Sequence, residues 1–363
     1  MRKQSLACNK SALPGHIAFG LLVGFTTLWT FWGIAELFHE GWHYSLAGKF
    51  FQYLLPGLVC LAFTLLAITW PRAGGGLLIV AGLAFSTWWL ITTLQRVALS
   101  PAMLVSWFFF GGTLVVAGLL LLLEHRHRQQ GRAAGPPLPR PWLRCHAWYV
   151  AAVGLPLLVG VATAIPNALV VADRLDDGQR GERLIEGNGV RLVWAPLGPG
   201  WATDHGPSWN EIALYGVPPV GLAGKRFGQD GRCHKDTDLG CPTQADLQAT
   251  NLCRYLSADG LTLLDEPQDF WRMPTTAELV GSLVRDGQNA GCVWDGKPGN
   301  VRCRLQPDKE TPLWIPSAEV IYYWSSEAAD AGHAYYVSYN GGVYTLSKFV
   351  NMDYRGFRCV RVP

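Results

Sequence analysis

The chain has 363 residues, 49% of them hydrophobic and 16% charged, with a formal net charge of +3, a length that admits two or three domains. Its averages hide two unlike halves: residues 1–171 hold three acidic side chains (Glu36, Glu40 and Glu124) against eleven Lys and Arg, whereas residues 172–363 hold 24 acidic and 19 basic ones. The basic surplus falls in short segments between apolar runs, which excludes a nucleic-acid-binding face and points to membrane topology.

Crossing roughly 30 Å of hydrocarbon takes about 20 apolar residues. Five runs meet that need: Ile17–Phe38, Phe51–Trp70, Leu77–Leu94, Met103–Leu123 and Trp148–Val171. Trp29, Trp32, Tyr53, Trp70, Trp88, Trp107, Trp148 and Tyr149 lie towards their ends, as rings suited to the headgroup level do. Pro156 and Pro166 fall inside the fifth run, where a spanning helix tolerates a kink. The first run is too long for a signal peptide, has no small-residue cleavage site and is followed by further spans.

Lys and Arg set the orientation. Arg2, Lys3 and Lys10 precede the first run, and Arg126, Arg128, Arg132, Arg140 and Arg144 crowd the segment 124–147, which also carries the proline-rich linker Gly135–Pro141. Both segments are expected in the cytoplasm. Five crossings then place residues 172–363 outside, in the periplasm or beyond a plasma membrane of the bacterial inner-membrane type. Cysteine usage agrees. Cys233, Cys241, Cys253, Cys292, Cys303 and Cys359 all fall in the second half, an even set that reads as disulfides in an oxidising compartment. Spacing alone does not choose among their connectivities.

In the second half, Val190–Ala195, Tyr335–Ser338, Gly342–Leu346 and Phe357–Val362 have the character of short strands. Asn340-Gly341-Gly342 supplies a hairpin turn between two of them. Thr243–Leu256 and Thr275–Arg285 have helical character, the latter opening on a capping pattern of Thr275 and Glu278. The expectation is an all-α transmembrane bundle of about five helices over 1–171, followed by an α+β domain over 172–363.

Several segments of that domain carry a resemblance. Leu252-Cys253-Arg254-Tyr255-Leu256, then Phe270-Trp271-Arg272-Met273-Pro274-Thr275-Thr276-Ala277-Glu278-Leu279, then Tyr323-Trp324-Ser325-Ser326-Glu327, Ala334-Tyr335-Tyr336-Val337 and Gly356-Phe357-Arg358-Cys359-Val360-Arg361 occur in the order of one superfamily. It joins formylglycine-generating enzymes with the Lcl C-terminal-type domains of bacterial surface proteins, and residues from about 190 to 363 resemble the Lcl type more closely. The resemblance implies a C-type-lectin-like fold whose first helix is tied to its last strand by a disulfide, here Cys253 with Cys359. The remaining four cysteines then pair most simply as neighbours, Cys233 with Cys241 and Cys292 with Cys303.

The enzymes of that superfamily bind copper through a cysteine pair shortly before the last conserved cysteine. The interval Trp324–Arg358 contains no cysteine, so soft thiolate ligands for monovalent copper are lacking there. The histidines His205, His234 and His333 are too scattered for an iron cluster. His39-Glu40-Gly41-Trp42-His43 fits the H-E-x-x-H zinc-protease pattern. However, it lies where the first run is ending, Gly41 weakens its turn, and no third ligand is apparent. Gln306-Pro307-Asp308 and Glu266-Pro267-Gln268-Asp269 resemble the proline-centred calcium and sugar tripeptides of lectins, but the partner motif is missing, so ordinary turns are expected. Glu36 lies inside an apolar run, where a carboxylate is costly and faces a partner, a cavity or the headgroup level.

The expected function is therefore a membrane-anchored recognition or sensing module without catalysis or cofactor. A divergent metalloenzyme is the rival from the enzyme class, and a subunit of a larger membrane complex, with an integral membrane partner, is a third reading. The expected ligand surface is the loop Gly287–Pro316 with Trp294, Asp295, Asp308 and Trp314, offered to a surface glycan or a protein ligand. Protease added outside intact spheroplasts should digest residues 172–363 and spare the 124–147 loop. Cleavage of that loop from outside, with the second half shielded, reverses the topology.

Overall fold

In hydrocarbon a backbone amide must find its acceptor inside the protein, a need that a helix meets within a single segment. A computed structural model of the chain describes residues 13–42, 45–94, 105, 107–132, 142–196, 252–261, 264, 266–318, 320–330, 333–347 and 355–363. It divides into two units, Met1–Leu169 and Val170–Pro363.

The first unit is built from α1 (Leu13–His39), α2 (Leu46–Thr69), α3 (Pro71–Leu94), α4 (a π-helical turn Phe108–Gly112 running into Thr113–Arg132) and α5 (Trp142–Ala172). Each contains a stretch long and apolar enough to cross a membrane. The helices run past the apolar stretches seen in the sequence, because helix geometry continues until a breaker or cap ends it. Pro71 opens α3 at a position whose amide would have no helical partner, only two residues after α2 ends at Thr69. α2 also contains a π-helical turn, Phe50–Leu54.

Lipid tails are as apolar as leucine, so close packing and interhelical hydrogen bonds must hold such a bundle together. The α3 and α4 backbones meet at Gly75 and Gly118, where a methyl on either glycine would press on the other's carbonyl oxygen at 2.9 and 2.7 Å. Gly82 and Gly111, seven residues along each helix, repeat the approach. Thr26 of α1 and Thr64 of α2 share a buried hydroxyl–hydroxyl bond of 2.9 Å. Ala18, Phe19, Leu22, Ala67, Ala117 and Leu121 fill the interior around them.

The second unit is rich in sheet. β1 (Arg183–Gly187) and β2 (Val190–Trp194) form an antiparallel hairpin about Asn188-Gly189, both at positive φ (52° and 80°). Their sheet is completed by the last strand, β10 (Val360–Arg361), on β2. A five-stranded sheet runs in the order β5 (Gly299–Asn300), β8 (Gly342–Ser347), β7 (His333–Ser338), β6 (Tyr322–Ala328) and β9 (Arg355–Gly356), with only β6 and β9 parallel. The turn between β7 and β8 uses Gly341 at φ 89°.

Two helical expectations change. The stretch Thr275–Arg285 is a shorter helix, α6 (Thr276–Gly281), followed by the hairpin β3 (Val284–Arg285) and β4 (Gln288–Asn289). Asp286 and Gly287 both take positive φ (52° and 70°), a geometry that closes a two-residue hairpin and that a helix cannot contain. The capping box is present: Thr275 Oγ1 accepts from the Glu278 amide, and the Glu278 carboxylate accepts from the Thr275 amide. Burial raises the Glu278 carboxyl, but the Arg272 guanidinium and the Thr275 amide outweigh it and hold it below the usual range. Of Thr243–Leu256, residues 243–251 lie outside the described residues, and Leu252–Tyr255 is a single 3-10 turn. In Phe357–Val362 only Val360–Arg361 is strand, although the Cys359 carbonyl still accepts from the Ala195 amide (2.9 Å).

Arg358 is 2% exposed. It donates from Nη1 to the Leu313 carbonyl (2.6 Å) and from Nη2 to the Ala195 carbonyl (3.1 Å). The guanidinium carbon lies 5.5 Å from the Trp194 ring centre and 5.9 Å from that of Tyr323. Next to it, Cys359 is bonded to Cys253, 106 residues away in sequence, and a second bridge joins Cys292 to Cys303, 11 apart. Cys233 and Cys241 lie outside the described residues.

Loop length orders these bridges. Serine at Cys253 should cost on the order of 4–5 kcal/mol and serine at Cys292 about 3 in the chain-entropy model. Guanidinium unfolding of the full-length chain in detergent checks both, and equal losses would contradict the loop-length account.

Candidate functional site

The segment between the two ends of the Cys292–Cys303 bridge forms a finger. Asn289 Oδ1 accepts from the Gly291 amide (2.8 Å), and the Ala290 carbonyl accepts from the amides of Arg304 and Leu305 (3.0 Å each), which closes its base. Above the disulfide, Val293 N donates to the Arg302 carbonyl (2.8 Å), and Gly299–Asn300 pairs with β8. The Asn188 side chain donates to the Cys292 carbonyl and fastens the finger to the β1–β2 turn.

At the tip, Asp295 Oδ1 accepts from the Lys297 amide (3.0 Å), while Trp294 Nε1 donates to the Lys297 carbonyl (3.0 Å). Gly296 takes φ 84°, which permits the reversal. Trp294 is half-buried and meets Tyr335 of β7 edge-on, with centroids 5.5 Å apart. Val293 is 60% exposed, and Asp295, Lys297 and Arg302 are exposed around it. The finger thus offers an apolar residue, an indole held by its own N–H bond, and charges of both signs on a covalently closed loop.

Two expected members of this surface are not on it. Asp308 is 5% exposed, and its carboxylate accepts from Arg174 Nε (3.0 Å) and Arg285 Nη1 (3.1 Å). Arg174 also stacks on Tyr339, 5.1 Å from the ring centre, and Arg285 Nη1 lies 3.1 Å from the Glu310 carboxylate. Burial pushes the Glu310 carboxyl up, and Arg285 only partly offsets it. Trp314 is 0% exposed, stacked on Tyr323 at 4.6 Å and edge-on to Tyr339 at 6.5 Å. The reason is electrostatic: an interior carboxylate needs cations, and Arg174 and Arg285 both converge on Asp308. The structure therefore keeps Trp294 and Asp295 together on the surface and puts Asp308 and Trp314 in the interior.

The other sequence candidates are placed as follows. α1 ends at His39 and the chain turns at Glu40, so the helical i, i+4 spacing of a zinc site is broken there; His43 lies outside the described residues. Asp269 pairs with Arg254. Trp271 and Trp324 are core, with the Arg361 guanidinium carbon 4.9 Å from the Trp271 ring centre. Among the described residues no group of three or more His, Cys, Asp or Glu could hold a metal ion. Tyr336 is core as well, and it shares one sheet face with Tyr322 and Tyr344, at 5.0 Å from Tyr322 and 5.5 Å from Tyr344.

The chain matches no protein-family model, no curated protein and no solved structure.

The buried and exposed carboxylates should separate on mutation. Asp308→Asn removes the carboxylate that Arg174 pairs with and one of those around Arg285, and should destabilise the chain by about 3–5 kcal/mol, whereas Asp295→Asn should stay within about 0.5 kcal/mol. Chemical unfolding of the two full-length variants compares them directly, and an equal response would return Asp308 to the surface.

Proposed function

We propose that the chain is a membrane-anchored recognition module: a five-helix anchor that displays a C-type-lectin-like domain outside the cytoplasm to bind a surface glycan or a protein ligand. The observation that carries this reading is the disulfide-closed finger, with Val293 and Asp295 exposed on either side of the half-buried Trp294. A loop ordered before binding loses little entropy when a ligand arrives. An indole beside a carboxylate suits the apolar face and hydroxyls of a sugar, or a peptide side chain.

Further support comes from the Cys253–Cys359 tie between the 3-10 turn and the residue preceding β10, which agrees with the lectin-like resemblance. The other prominent charges of the domain, Asp308, Arg285 and Arg358, serve packing.

The test screens the full-length chain in nanodiscs against a glycan array and a displayed peptide library, then measures the best hit with Trp294→Ala and Val293→Asp. Saturable binding that both substitutions weaken by about tenfold, with unfolding midpoints unchanged, is the expected result. Undiminished binding by both folded variants removes the finger from the reading. Turnover of any ligand by the purified chain defeats the reading itself.

A further inference from the structure

Glu36 is the acidic residue that the first apolar run should least tolerate, and its surroundings explain its presence. It lines a cavity of about 340 Å³ at the α1–α2 end of the helical unit, together with Trp29, Trp32, Glu40, Gln52 and Tyr53. That volume lies within the roughly 300–1,000 Å³ of small-ligand sites.

The backbone builds this space. Gln52 and Tyr53 belong to the π-helical turn Phe50–Leu54 of α2, and such turns widen a helix locally and accompany functional sites. α1 accepts the turn because residue 33 is glycine: any side chain there would overlap the Tyr53 carbonyl. The second π-helical turn, at the start of α4, sends Phe110 against Trp29 at 5.8 Å. With Phe25 at 6.2 Å and Trp32 at 5.3 Å, Trp29 is held from three sides. Trp32 Nε1 donates to Glu36 Oε1 (3.0 Å), which fixes both side chains.

Among the described residues no Lys, Arg or His pairs with Glu36, and Lys49 stands over the Trp42 ring at 4.8 Å. The cavity therefore combines an acidic group that no cation among the described residues pairs with and two indoles at its wall. An anion is repelled by Glu36 and Glu40. A hard metal ion asks for a shell of about six oxygens or more, which indoles do not supply. An alkylammonium fits both features, because its charge meets the Glu36 carboxylate and its weakly hydrated methyl or methylene groups meet the ring faces.

We propose that this cavity binds a small organic ammonium cation. Two sources share that chemistry, a soluble amine and the ammonium of a phospholipid headgroup, and both reach the end of a spanning helix. The inference is independent of the recognition reading of the sheet-rich unit.

The experiment uses the full-length chain in nanodiscs of phosphatidylglycerol, a lipid with no ammonium, titrated calorimetrically with tetramethylammonium. Empty discs subtract the attraction of the anionic surface. Saturable binding is expected, undisturbed by an equal concentration of potassium. Glu36→Gln and, separately, Trp29→Leu should each weaken it by about tenfold while elution on size exclusion stays that of the parent. Discs containing phosphatidylethanolamine separate the sources. A weakened apparent affinity for tetramethylammonium in the parent chain assigns the site to a lipid headgroup, and an unchanged one assigns it to a soluble amine. Absence of saturable binding, equal competition by potassium, or parent-like affinity in both folded variants overturns the proposal.

Discussion

The sheet-rich unit depends on a buried guanidinium whose partners are carbonyls and rings. Arg358 reaches the carbonyls of Ala195 and Leu313, and Trp194 and Tyr323 flank it. Desolvation pushes it below its ordinary basicity, so the peptide dipoles and ring faces must replace the water it has lost. In doing so it fastens the end of β2 to the 313 loop. Cys359 then fixes the adjacent turn at 253, and Val360 pairs with both Trp194 and Arg272. Three consecutive residues thus close the unit by a charge, a covalent bond and a backbone ladder. That explains how a strand of only two residues can terminate it.

The helical unit meets the same shortage of water by other means. Its backbone groups are spent within helices, and its close contacts are made by removing side chains, at Gly75 with Gly118 and at Gly82 with Gly111. Glu124 is fully buried there, with its carboxylate against Gly15 of α1, where a methyl would collide with it. Buried charge in the sheet-rich unit is met by cations, carbonyls and rings, and in the bundle the missing side chain of Gly15 leaves room for that of Glu124.

The parts legible in the sequence were those that rest on local physics. Apolar length located the five helices, Thr275 and Glu278 announced a helix start, and Gly341 marked a turn. Asn188-Gly189 and Asp286-Gly287 were equally readable hairpin signals, and giving the second its weight would have ended the helix at Gly281. The candidate site was half legible. Asp295 and Asp308 look alike as letters between turn residues. What separates them is Arg174, 134 positions away from Asp308, and no local pattern reports a partner so distant. Trp314 is inside for a similar reason, since its stacking partner Tyr323 sits on a strand whose face is set by the whole sheet.

The finger has a consequence for how the chain can change over time. Its base is held by the bridge, by the Val293–Arg302 contact and by the pairing of Gly299–Asn300 with β8. Between those fixings and the Trp294–Tyr335 contact only the stretch 295–298 is spared from holding the sheet, and its hydrogen bonds are mostly internal to the tip. Substitutions there leave the closing residues untouched, so descendants of this chain can explore new surfaces on that tip while the same interior persists. The fold in effect keeps one short cassette open to revision, and sets it on a part of the surface where change is cheapest.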